Sequence, residues 1–283
     1  MIGSAERTSG RFEESGFFIT FPTKMPFSSL LYEISDRVAY ITLNRPEKRN
    51  ALHPQLVTEI KQALTDAAHN DAVKLIVLKA NGPAFSAGAD LEYLQQIRHF
   101  NLEQHIQDTK DLCGLYEQIY FHNKVVIAWV QGHAIAGGCG LAAVCDFCYS
   151  TSEAKFGFTE VKIGFIPAIV SVFVSRKIGE GRAKALLLSG ELISAQQAEQ
   201  LGLIDEVFPA NDFMEKVQHK LQNLLYGASA FSLMQTKKLL HQVQDVPIRE
   251  ALELAVMTNA EARNHPDCRR GIDAFLNKQH IQW

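Results

Sequence analysis

Short apolar runs that alternate with helical sequence constrain the fold of this chain more than any other feature. Residues 74–80 and 125–130 are apolar runs of strand length, and each is followed by a small-residue loop and then by sequence with helical periodicity. Continuous apolar strands that alternate with helices are typical of a mostly parallel sheet whose two faces are both covered. The pattern therefore predicts an α/β architecture.

Further elements can be predicted on either side of this alternation. Residues 30–34 and 37–43 predict a β-hairpin, because β-branched and aromatic residues dominate both segments. Pro54 opens a segment whose apolar residues fall on one helical face. Helical sequence is also expected at 91–98 and 102–121, a small-residue loop and then a helix over 132–144, and a strand at 146–150.

Beyond Pro167 the sequence suggests helices and no strand. The predicted helices are 168–178, 181–189, 194–201, 211–225, 229–243 and 248–262. We therefore divide the chain into an N-terminal extension, expected to be peripheral or disordered, an α/β core and a C-terminal helical domain. These three parts are residues 1–24, 25–200 and 201–283.

Composition excludes several classes of protein. Of the 283 residues, 47% are hydrophobic and 21% charged, and the net charge of −3 comes without a clustered basic face, which argues against nucleic-acid binding. No apolar run reaches the roughly 18 to 20 residues that a membrane span needs. Five cysteines are an odd number, so we expect no disulfide framework and a reducing, cytoplasmic location. No metal-ligand pattern is present, and Cys145 and Cys148 are expected to be small residues of a buried strand.

Two glycine-containing loops are the candidate functional elements. Residues 85–91 and 132–141 each follow an apolar run and precede helical sequence. Glycine and alanine allow close approach of a ligand to the backbone, and the amides at a helix N-terminus lack partners. Two such amides that converge on one oxygen would form an oxyanion hole. Either loop alone is explained equally well as a tight packing turn.

The second loop also has a rival interpretation. Gly138, Gly140 and Ala143 fit the dinucleotide-binding pattern G-x-G-x-x-A, and Glu160 follows about 20 positions later. This interpretation is weakened because the motif lies in mid-chain without a second nucleotide-binding half. It would also leave the first loop without a role.

Four motifs together resemble the enoyl-CoA hydratase/isomerase (crotonase) family over about residues 30–280. They are 41–46 (ITLNRP) with 50–52 (NAL), 85–91 (FSAGADL), 132–139 (GHAIAGGC) with 145–147 (CDF), and 156–160 (FGFTE) with 164–167 (GFIP). The resemblance implies a spiral of ββα turns with a C-terminal helical domain that mediates trimerisation, often to hexamers. It also implies an acyl-CoA thioester as substrate, with no cofactor beyond the coenzyme A that the substrate carries.

The resemblance assigns roles to particular residues. It gives the oxyanion-hole amides to Ala89 and Gly137 and the acid/base role to Glu160, whose pKa would be raised by apolar neighbours such as Phe158, Phe165 and Ile166. The residues expected to bind coenzyme A or the acyl group are Arg45, Lys48, Ala87, Asp90, Leu91, Gly138, Gly140, Pro167 and Lys278. Apolar residues expected to line the acyl pocket are Tyr93, Leu94, Leu112, Leu115, Tyr116 and Ile119.

The chain departs from the family's pattern at Gly140. Two-carboxylate hydratases of the family carry a second glutamate there, whereas a single carboxylate suffices for a Δ3,Δ2-enoyl-CoA isomerase. The surrounding residues also resemble bacterial methylglutaconyl-CoA hydratases, in which one glutamate could deliver the α-proton and guide water. Hydration, isomerisation and a non-catalytic CoA-binding role therefore remain open. The side chains weighed as a replacement acid or base are Glu92, Asp111, Glu117 and His133, each more readily explained as solvated or structural.

Overall fold

The computed structural model describes residues 27–283, so the predicted N-terminal extension lies outside the described residues. The strands in chain order are β1 (Leu30–Ser35), β2 (Val38–Leu43), β3 (Leu75–Ala80), β4 (Ala84–Ser86), β5 (Val125–Val130), β6 (His133–Ile135), β7 (Phe147–Thr151), β8 (Lys155–Gly157), β9 (Ile193–Ser194) and β10 (Glu206–Phe208). They form a large sheet in the order β1-β2-β3-β5-β7-β10 and a small sheet in the order β4-β6-β8-β9.

Helices surround the two sheets. In chain order they are α1 (Pro54–His69), α2 (Leu91–Ile97), α3 (Leu102–Tyr120), α4 (Gly137–Ala143), α5 (Ala168–Ile178), α6 (Glu180–Ser189), α7 (Ala195–Leu201), α8 (Phe213–Gly227), α9 (Ala230–Gln242), α10 (Ile248–Asn264) and α11 (Pro266–Leu276). The predicted α/β class is confirmed. The large sheet is parallel apart from the β1–β2 hairpin, which is antiparallel as predicted.

The large sheet is buried on both faces, which explains its continuous apolar strands. Along β3, Ile76 and Leu78 belong to the main core beneath α1, whereas Leu75 and Val77 pack with α8 on the opposite face. Alternate residues of a strand point to opposite faces, so a strand covered on both sides needs apolar residues at every position. Helix α8 therefore covers the face of the large sheet opposite to α1.

The structure differs from the predicted elements in several places. Strands occur beyond Pro167: β9 pairs with β8, and β10 extends the large sheet beside β7. The segment 201–283 is therefore not all-helical, although it is helical from Phe213 onward apart from its connections. Within the loop and helix predicted over 132–144, the helix begins at Gly137, and the short strand His133–Ile135 before it was not predicted. Helix α11 was not predicted at all.

Candidate active site

The two glycine-containing loops lie against each other. Strands β4 and β6 are paired in parallel, so the loops that follow them leave the small sheet side by side. Gly88 has a φ of +86°, and a Cβ placed on it would lie 2.9 Å from Ala136 Cβ and 3.6 Å from the Gly137 nitrogen. Positive φ and the close approach of the second loop together require glycine at this position.

Each loop presents a backbone amide without a partner beside its glycines, that of Ala89 in the first loop and that of Gly137 in the second. The Leu52 amide donates to the Gly88 carbonyl at 2.6 Å, and the Leu52 carbonyl accepts from the Asp90 amide at 3.0 Å. The residues on both sides of Ala89 are therefore hydrogen-bonded to Leu52. Within residues 27–283, no acceptor receives a hydrogen bond from the Ala89 or the Gly137 amide. Ala89 is exposed and Gly137 is half-buried, so neither residue is sealed inside the core.

The start of α4 is conformationally strained. Ala136, the residue before the helix, has φ 50° and ψ −125°, and its amide donates to the Gly157 carbonyl at 2.7 Å. A non-glycine residue with positive φ persists only where its surroundings hold it, and such residues cluster at functional sites. The strain turns the chain so that Gly137 becomes the first residue of α4.

Glu160 begins a 3₁₀ turn, Glu160–Ile163, that ends at Gly164 with a φ of +80°. Its Oε2 atom is buried and, among the described residues, has no hydrogen-bond partner. Burial raises the pKa of this carboxyl, while a hydrogen bond from its own amide lowers it. A carboxyl with a raised pKa and an unused oxygen is suited to exchanging a proton with a ligand.

The apolar wall predicted around Glu160 is only partly present. Phe158 is completely buried, whereas 47% of Phe165 and 78% of Ile166 are exposed in this chain. Two residues on α3 and α4 respond to the charge of Glu160. Burial and then this charge raise the pKa of Tyr116 on α3. Burial raises the pKa of Cys139 on α4, and the charge of Glu160 adds to that effect.

Gly140 lies inside α4, where the chain has no room for a side chain. A Cβ on Gly140 would lie 2.3 Å from Val170 Cγ1 and 3.3 Å from the Tyr116 hydroxyl. Gly138 is equally confined, because its Cβ would lie 2.5 Å from the Ser86 carbonyl oxygen. Both glycines are thus helical residues packed against neighbouring elements. This differs from the dinucleotide fingerprint, in which glycines form the turn before a helix.

Two of the basic residues predicted to contact coenzyme A, Arg45 and Lys48, have acidic partners near α2. Arg45 donates to Asp90 Oδ2 and to the Ala51 carbonyl, both at 3.0 Å. Asp90 also accepts from the amides of Glu92 and Tyr93, so it caps α2, and its hydrogen bonds together with the charge of Arg45 hold its pKa below the usual value despite the opposing effect of burial. Lys48 pairs with Glu92 on the surface.

The remaining predicted binding residues are spread over several elements. The Ala87 amide donates to the Arg49 carbonyl at 3.0 Å, Leu91 begins α2 and is 77% exposed, and Pro167 is buried before α5. Lys278 is exposed after α11, and no hydrogen bond of its side chain within the described chain joins it to the loops. Of the predicted acyl-pocket residues, Leu115, Tyr116 and Ile119 are fully buried core residues.

The other candidate acids and bases take structural or solvated positions. Glu92, Asp111 and Glu117 are exposed. His133 is exposed, and its Nδ1 accepts from the Lys155 amide at 3.2 Å, which ties β6 to β8. All the cysteines are unpaired, and burial raises the pKa of the Cys148 thiol to about 12.

The described residues hold neither a metal-binding cluster nor a membrane-spanning helix. Between Phe27 and Trp283, no group of three or more His, Cys, Asp or Glu side chains is placed to hold a metal ion. No helix in that same stretch combines the length and the apolar character that crossing a bilayer requires.

Comparison with known proteins agrees with this arrangement. Residues 33–283 match the family model described as enoyl-CoA hydratase/isomerase. The chain belongs to the enoyl-CoA hydratase/isomerase family. It is 34% identical over 255 residues to the 2,3-dehydroadipyl-CoA hydratase of Escherichia coli, covering 89% of this chain and 97% of that protein. It is 38% identical over 242 residues to a provisionally assigned enoyl-CoA hydratase of Thermus thermophilus, covering 86% and 95%.

The fold is also that of the family. The structure of an enoyl-CoA hydratase from Mycobacterium smegmatis superposes with a TM-score of 0.86 at 28% identity, covering 90% of this chain and 99% of that one. A structure from Legionella pneumophila described as a crotonase family member superposes with a TM-score of 0.83 at 39% identity, covering 89% and 97%. The crotonase-like spiral with a C-terminal helical region, expected from the motifs, is confirmed.

The site contains one residue whose part the sequence did not reveal. Tyr116 was expected only to line an acyl pocket, yet its hydroxyl donates to the Gly137 carbonyl at 2.8 Å. Tyr116 lies on the apolar face of α3. The sequence of such a face does not show whether a tyrosine hydroxyl has a hydrogen-bond partner or whether the ring is simply packed in the core.

Proposed function

We propose that this enoyl-CoA hydratase/isomerase family member is a hydro-lyase that adds water to a 2-enoyl-CoA thioester. The observation that carries the proposal is the pair of unpartnered amides, Ala89 and Gly137, on adjoining loops, together with a carboxyl of raised pKa in the turn after β8, the strand that pairs with β6. The names of the relatives support hydration, since E. coli, T. thermophilus and M. smegmatis proteins are all described as hydratases.

The proposed reaction uses the amides where charge develops. The thioester oxygen accepts hydrogen bonds from Ala89 and Gly137, water attacks the β-carbon, and the double-bond electrons move onto that oxygen as an enolate. Protonated Glu160 gives its proton to the α-carbon, and its second oxygen receives the proton that the attacking water releases. The carboxyl is thereby returned to its starting state.

A Δ3,Δ2-enoyl-CoA isomerase is the second candidate, and the packing at Gly140 favours it. A double-bond shift needs one group that removes a proton from the α-carbon and returns it to the γ-carbon. Glu160 alone suffices for that, and the volume next to Gly140 is filled by Val170 and Tyr116. Methylglutaconyl-CoA as the acyl substrate stays a prediction from the resemblance.

A paired assay tests both candidates. Hydration is followed as loss of the conjugated thioester of crotonyl-CoA, and isomerisation as its gain from a 3-enoyl-CoA. We expect hydration to be the faster reaction and Glu160→Gln to lower the rate by about 10²- to 10⁴-fold. Glu153→Gln, an exposed glutamate in the turn between β7 and β8, is the matched control and should leave the rate unchanged.

Three results would count against these assignments. Full activity of Glu160→Gln would remove Glu160 from the mechanism. If the conjugated thioester forms from a 3-enoyl-CoA faster than it is lost from crotonyl-CoA, the chain is an isomerase. Tight binding of acetyl-CoA with neither activity would support the non-catalytic, CoA-binding alternative.

A further inference from the structure

Tyr116 is a buried phenol directed at the start of α4. Its side chain is completely buried on α3, with its ring 6.3 Å from that of Phe173 in an edge-to-face arrangement. Its hydroxyl donates to the Gly137 carbonyl oxygen at 2.8 Å. A Cβ on Gly137 would lie 3.2 Å from this hydroxyl and one on Gly140 3.3 Å from it, so the oxygen rests against the first turn of α4.

The first turn of α4 needs an external constraint. The helix has seven residues, and no side chain caps its N-terminus. Such a short helix has little stability of its own, so its direction is set by contacts with the rest of the protein. The strained Ala136 lies immediately before it, and strain of this kind relaxes unless neighbouring groups oppose the movement.

We propose that Tyr116 is a positioning residue that holds Gly137 so that its amide points at the thioester oxygen. The inference rests on the proposed function, because it assumes that this amide is half of an oxyanion hole. Tyr116 acts on the backbone of Gly137 and does not touch the substrate. A donor misdirected by a small rotation of the peptide loses much of its effect on the transition state.

A phenol suits this role because it remains a donor over the working pH range. Burial and the charge of Glu160 both raise the pKa of Tyr116, so the hydroxyl keeps its proton. The pH profile of the enzyme should therefore reflect Glu160 and not Tyr116. Loss of the hydroxyl should lower the rate by the same factor at every pH.

The test compares Tyr116→Phe with Tyr120→Phe. Tyr120 lies one turn further along α3, its ring also packs on Phe173, and its hydroxyl donates to Gln244 away from the loops. We expect Tyr116→Phe to lower kcat about threefold to tenfold, the effect of one lost hydrogen bond. The KM and the midpoint of the pH profile should stay as in the wild type, and Tyr120→Phe should behave like the wild type.

A spectroscopic measurement separates this inference from the proposed function. The ¹³C shift of butyryl-CoA labelled at the thioester carbonyl reports how strongly the bound oxygen is polarised. We expect a downfield shift on binding to the wild type and a smaller one with Tyr116→Phe. If wild-type protein binds the probe without any shift, the oxyanion hole itself is wrong. If the wild type shifts and Tyr116→Phe shifts equally, with unchanged kcat, the role of Tyr116 is overturned.

A second replacement keeps the test decisive if Tyr116→Phe folds poorly. Site-specific 3-fluorotyrosine at position 116 retains the shape of the ring while making the hydroxyl a stronger donor. We expect a carbonyl shift equal to or larger than that of the wild type and a correct fold by thermal denaturation. A correctly folded 3-fluorotyrosine protein that polarises the carbonyl less than the wild type would contradict the proposal.

Discussion

At the scale of single residues, Glu160 is a candidate catalytic group whose burial lowers the stability of the folded protein. Its buried Oε2 has no protein partner within residues 27–283, which is unusual for a buried polar atom. A carboxylate in that position is penalised by burial whenever it is ionised, and this penalty is what raises its pKa. The same environment that suits proton exchange therefore weakens the fold at neutral pH.

The pH dependence of stability should reveal this penalty. Because the folded-state pKa lies above the unfolded-state value, the neutral carboxyl is favoured by folding, and that contribution disappears as pH rises through the folded pKa. We expect Glu160→Gln to have a higher melting temperature than the wild type at pH 7. The difference should shrink towards zero below about pH 4.5, the unfolded value.

Thermal denaturation across pH 4 to 8 checks this expectation, with Glu153→Gln as the control that should show no such trend. A difference between Glu160→Gln and the wild type that grows as pH falls would have the opposite sign and would contradict the raised pKa.

Motifs allowed Ala89, Gly137 and Glu160 to be predicted as site residues, because the residues that point to them are local in sequence. The pairing of Arg45 with Asp90 could not be predicted, since the two residues are 45 positions apart and meet only when the hairpin and the first loop are folded. That pairing changes the expectation for Arg45, whose guanidinium already has a carboxylate partner. The expected contact between Arg45 and coenzyme A stays a prediction.

At the scale of elements, the packing of α4 against α3 and α5 decides what position 140 can hold. The sequence indicated only that Gly140 lacks a carboxylate. The structure adds that Val170 of α5 and Tyr116 of α3 fill the space that a side chain would enter. A glutamate there requires the side chain of Val170, or the helix that carries it, to shift.

We therefore expect Gly140→Glu to be destabilised and not simply improved as a hydratase. Overpacking a close-packed core costs about 1–3 kcal/mol, and the Cβ alone produces the 2.3 Å contact with Val170. Gly140→Ala should thus show most of the loss in the free energy of unfolding, measured with urea. Val170→Ala combined with Gly140→Glu should recover part of it, and only this double variant should hydrate crotonyl-CoA faster.

Additive losses in the double variant would mean that Val170 is not the obstacle. Wild-type stability of Gly140→Ala would show that α4 and α5 can separate at little cost.

The longer elements were predicted well and the shorter ones were not. Strand β5 and helix α5 have the bounds expected from their apolar patterns. Strands β4, β6 and β8 have three residues each, which is too short for a period-2 pattern to reveal them. They are nevertheless the strands from which the loops of the site emerge.

At the scale of the whole molecule, α10 carries an apolar stripe that no other part of residues 27–283 covers. Ile248, Leu252 and Val256 are four residues apart along this helix, and each is more than half exposed. Residues at that spacing share one face, and a contiguous exposed apolar face marks an interaction surface. We propose that a second copy of the chain covers it, in the homotrimer or dimer of trimers that the resemblance implies.

Sedimentation of the wild-type chain should therefore give three or six times the mass of one chain. Leu252→Asp combined with Val256→Asp should lower that mass, because two charges would be buried without partners. Glu253→Gln changes a charge on the same helix but not the stripe, and it should leave the assembly intact. A monomeric wild type at micromolar concentration would contradict the assembly.

The pairing of β4 with β6 has a consequence for how this chain could acquire new reactions. Paired strands lie about 4.8 Å apart whatever their side chains. The distance between the two loops that carry Ala89 and Gly137 is therefore set by the backbone hydrogen bonds between β4 and β6. Glu160, by contrast, lies in a separate turn that follows β8. Selection could therefore exchange the group that handles the proton while the binding of the thioester oxygen stays as it is.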